Sequence, residues 1–165
     1  MDNQRAIDMA SARALILVLL LLVAPLSGFV TPSAADSVIN SDSQWSGEVI
    51  LSGNVTVANG TTLTIQSGTT IDAKEYWISV EGTLDANGVY FNSSNPPSSQ
   101  GSHGAGLWVG IEVANNGHAV LQNVVIENAE TGVLVEGTLE ANNLIVNDSY
   151  IAINVIGSSS VSDFT

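Results

Sequence analysis

The segments EGTLDANGVYFN, residues 81–92, and EGTLEANNLIVN, residues 136–147, are two copies of one pattern and are identical at seven of twelve positions. Both copies begin with Glu-Gly-Thr-Leu and end with Asn. A more diverged copy lies between them, which opens at Ile111-Glu112-Val113 and closes with QNVVI at residues 122–126. Repetition of a short unit at a period of about 20 to 24 residues indicates a solenoid, in which each unit stacks on its neighbours.

Short β-like triplets recur through this region and set the period. They begin at residues 78, 111, 133 and 153, at intervals of 33, 22 and 20 residues. The first interval is longer because it contains an insertion, NSSNPPSSQGSHGAG at 92–106, whose Pro and Gly content predicts a loop outside the scaffold. Elsewhere Gly and Asn, which suit sharp turns, separate short segments rich in Val and Ile, which suit strands. We therefore predict an all-β fold.

An antiparallel sandwich or barrel is the rival all-β interpretation, since it would also produce short alternating strands with frequent turns. The nearly identical Glu-Gly-Thr-Leu units favour the solenoid, because sandwiches do not ordinarily repeat about every twenty residues.

Three runs resemble the coils of right-handed parallel β-helix proteins of the pectin-lyase-like superfamily: VTVANGTTLTIQSGTTI at 55–71, GLWVGIEV at 106–113 and ETGVLVEG at 130–137. Within that superfamily the chain is most similar to secreted or surface-attached repeat proteins with a Trp-x-Gly-Ile segment and recurrent Gly-Ile or Gly-Val turns. The resemblance covers about residues 44–165 and implies a right-handed parallel β-helix. Its motifs mark a fold and imply no particular activity.

Stacking of coils predicts which side chains meet. Residues one coil apart would lie about 4.8 Å from each other, the spacing of hydrogen-bonded strands. Amide side chains stacked in this way can form hydrogen-bonded ladders. The aligned pairs are Gln122 with Asn142, Asn123 with Asn143, Glu127 with Asn147, and Asn128 with Asp148. The expected aliphatic core columns contain Ile111, Val113, Val133, Val135, Ile153 and Val155.

The composition excludes several classes of protein. The chain has three Lys or Arg against sixteen Asp or Glu, a formal net charge of −13, and no Cys. A nucleic-acid binder needs cations to displace counterions from phosphate, so we exclude nucleic acid as a partner. Disulfides and Cys-ligated zinc are also excluded. So many carboxylates with so few cations predict an adaptation to saline surroundings, where salt screens their mutual repulsion.

The N-terminal region predicts export. Residues 14–24, ALILVLLLLVA, form an unbroken apolar run of the length of a signal-peptide core, preceded by Arg5 and Arg13. Ser33 and Ala35 place a cleavage point before residue 36. The alternative is a retained anchor, which would associate with a membrane through residues 14–30.

These observations give an expected domain organisation. A signal peptide or signal anchor occupies residues 1–35, a linker residues 36–43, and the β-helix residues 44–165, truncated at its C-terminal end. The expected location is extracellular or at the cell surface. Four Asn-x-Ser/Thr sequons, at Asn54, Asn59, Asn92 and Asn147, make the chain a possible glycoprotein.

Two pairs of carboxylates are candidates for glycoside hydrolysis. Glu81 with Glu136, and Asp85 with Glu140, occupy equivalent positions in copies separated by one coil, which predicts a separation near 9.6 Å, at the limit for an inverting enzyme. Their positions in the repeat favour solvated outward carboxylates instead. A lyase of this superfamily would be expected to use a cationic base, and Lys74 is the only Lys or Arg after Arg13. We therefore assign no catalytic residue.

No cofactor or metal site is assigned either. Calcium could bind at Asp72, Asp85 or Asp148, but no dense acidic loop accompanies them. His103, in the insertion, and His118, after Asn115-Asn116-Gly117, are expected to be exposed turn residues without partners.

Three aromatic residues lie near the insertion in the sequence, Tyr76 and Trp77 before it and Trp108 after it. Trp77 and Tyr76 could form an exposed platform for a sugar ring, although the preferred interpretation is that they cover the N-terminal coils. Trp108 is expected to pack at the coil edge. The insertion itself could bind a ligand or serve as a spacer.

The sequence thus predicts a secreted or cell-surface β-helix module that serves as a structural, adhesive or carbohydrate-contacting scaffold. Its expected partners are polysaccharide or cell-surface components. The alternative is the N-terminal part of a glycoside hydrolase or lyase whose catalytic coils lie beyond residue 165.

Overall fold

The computed structural model describes residues 36–95, 108–156 and 160–162, which contain β-strands and turns and no helix. Most strands are only three to five residues long, and β11 and β13 each have ten. The strands are β1 (Ser37–Ile39), β2 (Ser43–Trp45), β3 (Glu48–Ile50), β4 (Val55–Val57), β5 (Thr62–Ile65), β6 (Thr70–Asp72), β7 (Trp77–Val80), β8 (Thr83–Asn87), β9 (Tyr90–Asn92), β10 (Gly110–Val113), β11 (His118–Glu127), β12 (Thr131–Val135), β13 (Thr138–Asn147), β14 (Ile151–Val155) and β15 (Ser160–Ser162).

These strands stack into three parallel faces. Sheet A has six strands in the order β1-β4-β7-β10-β12-β14. Sheet B consists of β2, β5, β8, the first halves of β11 and β13, and β15, whereas sheet C consists of β3, β6, β9 and the second halves of β11 and β13. Every strand pair in the described residues is parallel, so the predicted parallel β-solenoid is confirmed and the antiparallel alternative is wrong.

The register confirms the predicted period. Ile111 pairs with Ile78 on one side and with Val133 on the other, and Val133 pairs with Ile153. Alternate residues of these strands point inward and are buried, including Val113 and most of the predicted core columns. Burial of aliphatic side chains between stacked coils is the main stabilising contribution in such a fold.

Val155 departs from the prediction, because its side chain is 49% exposed. It was expected in an aliphatic column above Val135, and the register does pair these two residues. However, β14 is the last strand of sheet A, so no described strand covers its outer side. The Val155 side chain is therefore covered by a described strand on the Val135 side only.

The corner between sheets B and C uses a left-handed backbone conformation. Asn123 and Asn143 have φ angles of 51° and 53°, and Gly88, at the same corner one coil earlier, has a φ of 65°. Asn and Gly enter this region at lower cost than other residues. The pairs Asn87-Gly88 and Asn142-Asn143 of the two similar segments therefore mark this corner.

The first coil begins earlier than expected. Residues 36–43 were assigned to a linker, but they contain β1, which pairs with β4. The carboxylate of Asp36 also accepts a hydrogen bond from the Asn54 N–H at 2.9 Å. The linker assignment is therefore wrong. The strand is not evident from the sequence because three residues are too few to show alternation. The predicted signal or anchor at 1–35, most of the insertion at 92–106, and His103 lie outside the described residues.

Trp108, which the sequence predicts to pack at the coil edge, is a core residue. Its side chain is fully buried, and its ring stacks on Phe91 with centroids 6.0 Å apart and planes 11° from parallel. Its indole N–H donates to the Glu127 carbonyl oxygen at 2.9 Å. The indole therefore fills the interior of the solenoid at the first residue of the described segment 108–156.

Candidate functional site

The outer surface of sheet B carries polar side chains in three rows. Inward residues of its strands, such as Leu84 and Leu121, are buried, so the residues between them face outward. We call these outward residues the sheet B face. By register, its rows are Thr62-Thr83-His118-Thr138, Thr64-Asp85-Val120-Glu140, and Asn87-Gln122-Asn142.

His118 has a partner, contrary to the sequence prediction. It begins β11 and stacks between Thr83 and Thr138 in the register. Its Nε2 lies 3.1 Å from Oε1 of Glu140, and both side chains are partly exposed. The two residues lie on neighbouring coils and two positions apart along the strand direction, a diagonal relationship that linear spacing of 22 residues does not reveal.

A shallow depression lies beside this pair. It is lined by Val120, Gln122, Glu140, Ala141 and Asn142 and has a volume of about 110 Å³. This volume is smaller than the usual site for a whole small-molecule ligand. It suits one group of a ligand that extends over the sheet B face, with Val120 offering apolar contact and the amides offering hydrogen bonds.

An amide ladder lies at the corner next to the depression. Asn143 Nδ2 donates to Oδ1 of Asn123 at 3.1 Å, and Asn123 Nδ2 donates to Oδ1 of Asn87 at 3.2 Å. The predicted pairing of Asn123 with Asn143 is therefore confirmed. Gln122 and Asn142 are also in register, as predicted, and flank this ladder.

The carboxylate pairs are placed as expected, with one coil between the two members of each pair. Val120 lies between Asp85 and Glu140 in the register. Ala114 occupies the coil between Glu81 and Glu136, which are both exposed. A glycosidase acid needs a buried or crowded setting that keeps it protonated. Neither pair has such a setting, because Glu140 faces His118 and the other three side chains are solvated.

Asp72, one of the calcium candidates, is already bound by protein groups. Its Oδ2 lies 2.7 Å from Lys74 Nζ, and its Oδ1 accepts the Ser94 N–H at 3.0 Å. Burial alone would raise the pKa of Asp72, but the bonds from Lys74 and Ser94 outweigh it and lower the pKa below 3.8. Lys74 also donates to Ser94 Oγ at 2.5 Å. The Asp72 carboxylate and the Lys74 ammonium group therefore form an ion pair with each other.

The other metal candidates are separate from one another. Asp85 lies on the sheet B face, whereas Asp148 follows β13 at the far end of sheet C. Among the described residues, no group of three or more His, Asp or Glu is close enough to bind a metal ion.

A second polar contact lies on the outer surface of sheet C. The Tyr90 hydroxyl donates to Oε2 of Glu127 at 2.5 Å, and Asn147 Nδ2 donates to Oε1 of the same carboxylate at 3.4 Å. The hydrogen bond to Glu127 is the main reason that the pKa of Tyr90 rises from 10.0 to about 12. The predicted alignment of Glu127 with Asn147 is confirmed by the register.

The two aromatic residues before the insertion, Tyr76 and Trp77, differ in their exposure. Tyr76 is partly buried and packs against the core, whereas Trp77 is 37% exposed. Trp77 is therefore the more exposed of the two rings. It lies in sheet A, away from the sheet B face.

No helix in the described ranges is long and apolar enough to cross a membrane. No protein-family model, curated protein or solved structure matches the chain. The function is therefore inferred from the residues of the sheet B face and from the charge of the chain.

Proposed function

We propose that the protein is a secreted or cell-surface β-helix module of the pectin-lyase-like type, and that it contacts carbohydrate as a scaffold without cleaving it. The observation that carries the proposal is the sheet B face. It presents hydroxyl and amide groups at the regular spacing of parallel strands, next to a shallow depression that Val120 lines together with polar side chains.

The chemistry of these groups suits sugars. Each sugar hydroxyl donates and accepts hydrogen bonds, and so do the hydroxyl of Thr138 and the amides of Gln122 and Asn142. Val120 offers the apolar contact that a sugar ring also uses. Because the coils fix the backbones of these residues in a regular array, little backbone freedom is lost when a ligand binds.

The charge of the chain favours a neutral glycan. With a net charge of −13, the protein would repel an anionic polymer in the absence of a bridging cation. Lys74, the only Lys or Arg after Arg13, is held by Asp72 on another part of the surface. A neutral polysaccharide would avoid this repulsion.

Export is part of the proposal and rests on the apolar run at residues 14–24 and the cleavage point before residue 36. Display outside the cell would bring the sheet B face into contact with extracellular polysaccharides. The absence of Cys from the sequence means that this module would rely on coil stacking and not on disulfides for its stability.

The proposal separates binding from cleavage, and one experiment measures both. The chain from residue 36 is incubated with insoluble cellulose, chitin, xylan and starch. Protein in the pellet and sugar released into the supernatant are then quantified. We expect retention by at least one neutral polysaccharide and no released sugar. Release of sugar that is lost in Glu136→Gln or Glu140→Gln would overturn the scaffold function, and absence of retention by all four polymers would count against carbohydrate contact.

A further inference from the structure

Three Asn-Gly pairs occur in the described residues, and they differ in exposure and in hydrogen bonding. They are Asn59-Gly60, Asn87-Gly88 and Asn116-Gly117. In an Asn-Gly pair the backbone nitrogen of Gly can attack the side-chain carbonyl carbon of Asn, because Gly has no Cβ to obstruct the approach. The reaction requires that the Gly nitrogen be free and that the Asn side chain be able to turn towards it.

Asn59-Gly60 meets both requirements. The pair forms the centre of a turn closed by the Thr61 N–H, which donates to the Ala58 carbonyl oxygen at 3.1 Å. Both residues are exposed, and a Cβ on Gly60 would meet nothing within 4 Å. Among the described residues, neither the Asn59 side chain nor the Gly60 N–H has a hydrogen-bond partner.

The other two pairs are held in the scaffold. The Gly88 N–H donates to the Gln122 carbonyl oxygen at 2.8 Å, and the Asn87 side chain accepts a bond from Asn123. The Gly117 N–H donates to the Ala114 carbonyl oxygen at 2.6 Å. Gly117 is also buried against the Val80 carbonyl group of the neighbouring coil. Attack at either pair would first require local opening of the solenoid.

We propose that Asn59 is the site of spontaneous deamidation in the folded protein. The Gly60 nitrogen gives up its proton and bonds to Cγ of Asn59, and the side-chain nitrogen leaves as ammonia, so that a five-membered imide remains. Water then opens the imide at either carbonyl and yields aspartate or isoaspartate. The net change is amide plus water to carboxylate plus ammonium, with no oxidant or reductant involved.

The modification would act on the neighbouring coil. The carbonyl oxygens of Ala58 and Thr61 lie against Gly82, where they leave no room for a Cβ. The Gly82 N–H also donates to the Val57 carbonyl oxygen at 2.9 Å. Isoaspartate at residue 59 inserts an extra backbone carbon into this turn, so it shifts the carbonyl groups on which Gly82 packs. It also adds a further negative charge to an acidic protein.

The test follows the three pairs in one sample. Full-length protein is made in a host without N-glycosylation, because Asn59-Gly60-Thr61 is also a sequon, and is incubated in mildly alkaline buffer. Peptide mapping by mass spectrometry then gives the converted fraction at each Asn, and isoaspartate is confirmed by methyltransferase labelling. We expect conversion at Asn59 to be faster than at Asn87 and Asn116 by about tenfold or more, since the latter need local opening.

The denatured chain and two variants serve as controls. In denaturant the three pairs should convert at similar rates, which shows that the difference in the native sample comes from the fold. Asn59→Gln should abolish most native conversion, whereas Asn116→Gln should leave the rate at Asn59 unchanged. Equal rates at the three pairs in the native protein, or no conversion at Asn59 on the timescale of the denatured chain, would overturn the proposal.

Discussion

The side-chain amide of Asn143 donates a hydrogen bond to Oδ1 of Asn123, 3.1 Å away on the preceding coil. Both residues have a left-handed backbone conformation, and both lie at the corner between sheets B and C. One residue type therefore performs two tasks here: its backbone makes the turn, and its side chain joins successive turns. The ladder also borders Gln122 and Asn142, which flank the depression on the sheet B face.

The two tasks of Asn123 can be separated by substitution. We expect Asn123→Ala to lower the free energy of unfolding by about 2 kcal/mol. The substitution removes the hydrogen bonds of the ladder, and Ala at a φ of 51° has a Cβ but no polar side chain that could offset the backbone strain by local hydrogen bonding. Asn123→Gly should lower the free energy of unfolding by about 1 kcal/mol, because Gly adopts the left-handed conformation without strain and only the ladder bonds are lost. Urea unfolding measures both. A Gly variant less stable than the Ala variant would contradict this division.

Trp108 is expected to be essential for stability. Trp108→Ala removes a fully buried ring, its stacking on Phe91 and its bond to the Glu127 carbonyl oxygen, so we expect a loss of about 4 kcal/mol or failure to fold. Trp77→Ala is the matched control, because the Trp77 side chain is 37% exposed, and should cost less than about 1 kcal/mol. Thermal unfolding of both variants checks the prediction, and similar losses would contradict the burial of Trp108.

The Tyr90 to Glu127 bond predicts an alkaline transition. Because the pKa of Tyr90 rises from 10.0 to about 12 on folding, the bond contributes stability that is fully present below pH 10 and is lost as the pH rises through about 12. Tyr90→Phe should therefore cost about 1 kcal/mol at neutral pH, discounted for partial exposure, and the difference from wild type should vanish above pH 12.

Phenolate absorbance and urea unfolding across this pH range test the Tyr90 prediction together. One tyrosine should ionise only near pH 12 in the native protein and near pH 10 in denaturant. Tyr76→Phe is the control and should retain the late transition. An unchanged titration curve in Tyr90→Phe would show that another group causes the effect.

Salt should stabilise the protein. The net charge of −13 on a chain with few cations creates repulsion between carboxylates in the folded state, and added salt screens it. We expect the melting temperature to rise by about 5 °C between low salt and about 1 M NaCl. Scanning calorimetry across a salt series measures the shift. A constant or falling melting temperature would remove the basis for the predicted saline adaptation.

The sequence was sufficient to predict the repeat, the parallel stacking and several pairs on neighbouring coils. This was possible because a solenoid turns sequence period directly into spatial contact, as for Ile111 with Val133 and Asn123 with Asn143. The same regularity placed the carboxylates of Asp85 and Glu140 with one coil between them.

The features that the sequence did not predict lie at the ends of the stack, next to the insertion, or between different rows of neighbouring coils. The first strand escaped notice because three residues show no alternation, and Val155 was expected in the core although its strand is the last described one of sheet A. Trp108 follows an insertion that hides its alignment with Ala129. The contact of His118 with Glu140 joins different rows of neighbouring coils, so a row-by-row alignment could not show it.

The most direct test of carbohydrate contact is a comparison of binding isotherms on the polysaccharide that retains the protein. The double variant Gln122→Ala with Asn142→Ala removes both amides at the depression. Asn115→Ala, in an exposed turn between sheets A and B, removes a similar side chain elsewhere. We predict that the double variant binds about tenfold more weakly, as expected for the loss of two hydrogen bonds, and that Asn115→Ala binds as wild type does. Equal affinity of all three proteins would contradict the proposed role of the sheet B face.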